Sequence, residues 1–141
     1  MKAALICAIV LGATAKGIHQ AILEGHAYVK FFSSDGPDLR FEASPQDKPN
    51  KTAIMGDKLK ASTADFTARV LGAFGGQPRT LLVLRDGVVV LSVPVTSNDL
   101  SFEFPVTVPG NYRLQLQRGS AIEALTNPIT LEVPSVGAFA L

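Results

Sequence analysis

The spacing of apolar residues changes once along this chain, near Gly25. Before it, "AKGIHQAILE" repeats its apolar positions at helical intervals, which predicts a short helix with Thr14 as N-cap and Gly25 as the left-handed residue that closes it. After it the period falls to two. "HAYVKFF" and "LRFEA" read as strands joined by a turn at Asp35-Gly36-Pro37, close enough to pair, with Leu39, Phe41 and Ala43 on one face. "AIMGDKLKA" reads as two short extended pieces bent at Gly56-Asp57. "ADFTARVLGAF" sets Phe66, Ala68, Val70 and Gly72 against Asp65, Thr67 and Arg69. In "RTLLVLRDGVVVLSVPV" the dipeptide Asp86-Gly87 accepts the positive φ angles of a tight hairpin turn. "LSFEFPV", "YRLQLQR" and "ITLEV" alternate as well, each with one wet face.

Strands this short, with turn signals about every ten residues, predict a mainly β fold: an antiparallel, immunoglobulin-like β-sandwich preceded by an apolar segment and one short helix. "PGNYRLQL" suggests a tyrosine corner, with Tyr112 at the edge of the core and its hydroxyl bonded back to the chain. No tryptophan and no cysteine pair accompany it, so an antibody-type domain is not expected. The organisation expected is residues 1–25 as apolar segment and helix, 26–134 as sandwich, and 135–141 as an apolar tail.

Composition narrows the function. With 47% hydrophobic and 18% charged residues, a chain of 141 residues can close one packed core. Thirteen Lys and Arg against twelve Asp and Glu, with no basic stripe among aromatics, argue against nucleic acid as a partner. Cys7 is the single cysteine, which rules out an intrachain disulfide framework. No apolar run reaches the roughly 20 residues of a membrane-spanning helix.

Candidate chemistry is sparse. His19 and His26 stand seven apart, on roughly one face if the helix extends that far, but two imidazoles do not make a catalytic or metal site. Asp35, Asp38, Asp47 and Asp57 fall in predicted loops, where aspartate ordinarily accepts backbone N–H bonds; their spacing fits no EF-hand loop. No Gly-x-Ser-x-Gly elbow occurs, and Gly75-Gly76 lacks the Lys-Ser or Lys-Thr of a phosphate-cradling loop. No catalytic, cofactor-binding or metal-binding residue is therefore assigned.

Taken in order, "KGIHQAILEGHAYVKFFSSDGPDLRFEA", "IMGDKL", "LLVLRDGVVV", "NYRLQLQRG" and "ALTNPITLEV" resemble the C-terminal region of PHP-type metallohydrolases, carbaryl-hydrolase-like (CehA/McbA) branch, from about Thr14 to Val133. The resemblance implies a helix and strand that leave a catalytic barrel and enter a C-terminal β-sandwich. It implies, too, a parent enzyme that binds divalent metal such as Zn or Mn through an early His-x-His, further His and acidic ligands, and a late Asp-x-His. Those patterns are missing from this sequence, and His26 matches no family ligand. An accessory domain, inert as a hydrolase alone and partnered by a PHP barrel in the same or an adjacent polypeptide, is the expectation. Ile18, Ile22 and Leu23 on the helix are its docking candidates.

The opening "MKAALICAIVLGATAKG" admits two readings. Lys2, the apolar block Ala3–Leu11 and the small triplet Ala13-Thr14-Ala15 have the parts of a secretory signal, and cleavage there would make a periplasmic or secreted protein. The resemblance instead aligns "ICAIV" with a barrel-side strand and Thr14 with the cap of the connecting helix, which favours the cut edge of a larger protein. An exported immunoglobulin-like module that binds protein or carbohydrate through its loops is the alternative function. A self-sufficient metalloenzyme built on His19, His26 and nearby aspartates is a third.

Overall fold

A computed structural model describes residues 5–9, 14–31, 35–73 and 78–134. The tail 135–141, Gly75-Gly76, and Ala13 of the small-residue triplet lie outside the described residues. The elements run β1 (Leu5–Ala8), α1 (Ala15–Leu23), β2 (Ala27–Lys30), β3 (Asp38–Pro45), β4 (Ala53–Ile54), β5 (Lys58–Lys60) and β6 (Ala64–Leu71). They continue through β7 (Arg79–Arg85), β8 (Val88–Val95), β9 (Leu100–Val106), β10 (Gly110–Arg118), β11 (Ala121–Thr126) and β12 (Ile129–Glu132).

Two sheets face each other. The smaller has the order β4-β3-β6-β9, antiparallel throughout. The larger is organised around β10, whose one edge pairs with β7 and through it with β8. The other edge of β10 is divided: Gly110–Tyr112 pair with β12, and Gln115–Arg118 with β11. Where the ladder changes partner, the Leu114 N–H donates to the buried Thr126 hydroxyl at 3.0 Å. Beyond β11 lie β2 and β1; beyond β12 lies β5, joined in parallel register, the exception to an otherwise antiparallel arrangement.

Alternation sets the core. Leu39, Phe41, Phe66, Ala68 and Val70 of the small sheet meet Leu81, Val83, Leu114, Leu116, Ile129 and Leu131 of the large one, all buried. Alanines at 43, 64 and 68 make room for Phe66, whose ring lies 5.4 Å from Phe41, 5.7 Å from Phe104 and 5.1 Å from Tyr112 across the sandwich. The Tyr112 hydroxyl donates at 2.5 Å to the Val108 carbonyl four residues upstream, the geometry of a tyrosine corner. Burial raises the Tyr112 phenol above its ordinary range, although the neighbouring Arg85 pulls the other way.

Asp86 and Gly87 form the β7–β8 hairpin turn with φ of 50° and 85°. That turn is clamped to β10: the Asp86 N–H donates to the Asn111 carbonyl at 2.9 Å, and the Asn111 N–H to Asp86 Oδ1 at 3.0 Å.

Three expectations are corrected. Consecutive strands β2 and β3 do not pair; β2 joins the large sheet beside β11 and β3 the small one beside β6, because those strands offer the ladders that the alternation of each does not specify. "AIEALT", assigned no element above, is strand β11; its alternation is broken by a register shift and by the buried carboxylate of Glu123. The outer face of β10 is not uniformly wet, since Gln115, flanked by β7 and β11 and receiving Arg113 Nη1 at 2.9 Å, is also buried.

Candidate functional site

Helix α1 begins where Thr14, in extended conformation, accepts the Gly17 N–H on its hydroxyl at 3.0 Å. It stops at Leu23, and Gly25 (φ +78°) turns the chain into β2. The helix lies on the sandwich along the Gly17, Gln20, Ala21 and Glu24 side, where a cleft of about 220 Å³ separates it from Ile9, His26 and Ile54. Ala21 is the helix residue that is buried.

The apolar side chains of α1 point elsewhere. Ile18 and Ile22 are 44% and 52% exposed, and Leu23 is 68% exposed. At 3.6 residues per turn Ile18 and Ile22 share one flank, whereas Leu23 sits about 100° further round from Ile22. The three docking candidates therefore belong to two surfaces. Neighbouring β1 adds Leu5 and Ile6, both exposed, on the strand that forms an edge of the large sheet among the described residues. An amphipathic helix ordinarily turns its apolar stripe to the core. This one turns it outward.

A polar joint fixes that orientation. His26 Nε2 is 2.8 Å from Asp57 Oδ1 and Nδ1 is 3.3 Å from Glu24 Oε2, so the ring bridges the end of α1 and the β4–β5 turn. Asp57 Oδ2 also accepts the Ile54 N–H at 2.9 Å. Asn127 Nδ2 donates to the Gly25 carbonyl, and the Gly56 N–H to the Pro128 carbonyl. Gly56 (φ +95°) is packed so tightly that a Cβ would lie 2.4 Å from the Gly25 carbonyl oxygen. Gly56→Ala is expected to cost about 2–3 kcal/mol of stability in urea unfolding. Gly87→Ala, at a similar φ of +85° but with nothing within 4 Å, should cost only about 1 kcal/mol.

The remaining sequence candidates disperse. His19 is exposed on α1, and because the helix ends at Leu23 it does not share a helix face with His26. Asp38 opens β3 instead of lying in a loop: Lys30 Nζ is 2.6 Å from its Oδ1, and the Tyr28 hydroxyl donates to the same oxygen. Burial alone would raise the Asp38 carboxyl, but Lys30 and Tyr28 override it and hold it below the ordinary carboxylate range. Burial, with the hydrogen bond to Asp38, drives the Tyr28 phenol upward. Asp47 is an exposed turn residue and Asp35 an exposed one beside Gly36. Among the described residues no three His, Cys, Asp or Glu side chains converge in a metal-holding arrangement. Nor is any described helix long and apolar enough to cross a membrane.

Sequence reasoning found the exposed helix residues but missed the joint beneath them. The nearest signal was the pair of turn glycines, Gly25 and Gly56, 31 positions apart, which lie against each other beside the His26–Asp57 contact. The fold and surface define a mainly β, antiparallel sandwich carrying one short helix with an outward apolar flank. No protein-family model matches the chain, and no curated protein is similar to it.

Proposed function

We propose that this chain is a non-catalytic accessory β-sandwich that docks on the metal-dependent catalytic barrel of a PHP-type hydrolase, with α1 and the adjoining β1 edge as the contact. The observation that supports it is the outward flank of Ile18 and Ile22, with Leu5 and Ile6 also exposed on β1 and the end of the helix held by the His26 bridge. Large apolar side chains left uncovered on one flank of a helix suit an interaction site. The sequence resemblance supplies the partner, and the barrel, not this chain, would hold the metal ions. Docking would then stiffen or partly cover the mouth of the active site.

Mixing the chain with a separately produced PHP barrel tests this by analytical ultracentrifugation. Association at micromolar concentration is expected. Ile18→Lys with Ile22→Lys should weaken it at least about tenfold while leaving the fold intact, because both side chains are already half exposed. Absence of association, or full association by the double variant, would count decisively against the reading. Leu23→Lys, on the other flank, is expected to have the smaller effect.

A further inference from the structure

An antiparallel sheet with one face on the core ordinarily turns polar residues to water on the other. The small sheet does so: between the buried residues of β3, β6 and β9, the charged Glu42, Asp65, Arg69 and Glu103 face away from the core. The large sheet does not. Along the strand order β1-β2-β11-β10-β7-β8 its ladders line up one outward row, Ile6, Val29, Leu125, Gln115, Leu82 and Ser92. Ile122, Gln117, Thr80 and Pro94 form the row on one side of it, and Arg113, Leu84 and Val89 that on the other. Ile6, Ile122 and Val89 are exposed, while Val29, Leu82 and Leu125 are half-buried. Among the described residues of these six strands, Arg113 is the one charged side chain on the outward rows, and its Nη1 donates to Gln115 Oε1 at 2.9 Å. Lys58, Lys60 and Glu132 stand at the margin, on β5 and β12.

An apolar centre depleted of charge inside a charged margin has the composition of an interface core. Three features point to a second copy of the chain as its occupant. The sheet edge beside it is blunted, since β8 carries Pro94 and a bulge where Val90 falls between two registers, so a copy meets the face more readily than the edge. Without ionic groups the face gives a foreign protein little by which to be selected, whereas a copy brings the same apolar rows and the Gln115 and Gln117 amides, which carry donors and acceptors together and bond to their own kind. With a formal net charge of +1, two copies approach without repulsion. Six strands about 4.8 Å apart, taken over five residues at about 3.4 Å each, give a face of about 500 Å². Two copies would cover about 1,000 Å², the lower limit for a specific interface.

We infer that the outer face of the large sheet packs on the same face of a second copy, sheet on sheet, about a two-fold axis beside Gln115. The modest area makes this dimer reversible, with a dissociation constant on the order of tens of micromolar. The inference is independent of the docking reading, because α1 contributes to none of these rows.

Sedimentation velocity of the whole chain from about 5 to 500 μM tests it, and a concentration-dependent shift from monomer to dimer is expected. Thr80→Glu with Ile122→Glu, which places like charges on the face, should weaken dimerisation at least about tenfold. Thr67→Glu on the outer face of the small sheet, and Ile18→Lys with Ile22→Lys on α1, should leave it unchanged. Without any substitution, the methyl resonances of Val29, Leu82 and Leu125 should move on dilution while that of Thr67 stays fixed. A monomer throughout the range, undiminished dimerisation by the Thr80 and Ile122 double variant, or dilution shifts confined to α1 would overturn the inference.

Discussion

Phe66→Ala is expected to lower the unfolding free energy by about 3–5 kcal/mol, measured by denaturant titration with an unchanged m-value. The ring is fully buried and lies where the two sheets meet, within 5.1–5.7 Å of Phe41, Phe104 and Tyr112. Its cross-strand neighbour on β3 is Ala43, and Ala64 and Ala68 flank it along β6. Alanines carry no side-chain freedom with which to fill the hole, so the cavity should persist and the upper part of that range apply. Phe66→Leu, which restores most of the volume, should lose much less.

Glu123→Ala should be comparably damaging, about 3–5 kcal/mol, for an electrostatic reason. Glu123 is 5% exposed and accepts Arg79 Nε at 2.6 Å and Nη2 at 3.4 Å. Removing it withdraws the carboxylate that neutralises a buried guanidinium and leaves Arg118 nearby with the same sign of charge. The loss should be nearly unchanged in high salt, since mobile ions do not screen a pair at this depth. Arg79→Met combined with Glu123→Leu should recover most of the stability, because a well-packed apolar pair replaces both ions. A single-variant loss below about 1 kcal/mol would show instead that water reaches the pair.

Local chemistry explains which parts of the fold were legible. Asp86-Gly87 states its hairpin because few other dipeptides tolerate two successive positive φ angles. Strands β3 and β6 declare their inner faces because large and small apolar residues alternate cleanly, burying every second residue from Leu39 to Ala43 and from Ala64 to Val70. Alternation says which face of a strand is inside, but not which sheet owns the strand, and so it left open a β2–β3 pairing that the two sheets do not make. Strand β11 stayed hidden because a buried Glu123 reads locally as a solvent-facing residue. The same blindness concealed the buried charges: Lys30, Arg79 and Glu123 become interior groups only when three separate strands, β2, β7 and β11, take their places in the sheet. On α1 the sequence grouped three apolar residues as one docking face, while helix geometry divides them between two flanks.

The ladder between β2 and β11 has a bearing on synthesis. Tyr28, Val29 and Lys30 pair with Thr126, Leu125 and Ala124, and the neighbouring Asn127–Gly25 bond joins residues 102 positions apart. While the chain emerges from the ribosome, β2 has β1 as its sheet partner for the whole interval before β11 is delivered, an isolated two-stranded pair that is marginal in water. The smaller sheet can assemble once β9 is out, but the larger one must wait for its last strands. A nascent chain therefore needs its β1–β2 segment shielded until β11 is made, and a premature stop ahead of Ala121 would leave that segment exposed to aggregation or degradation.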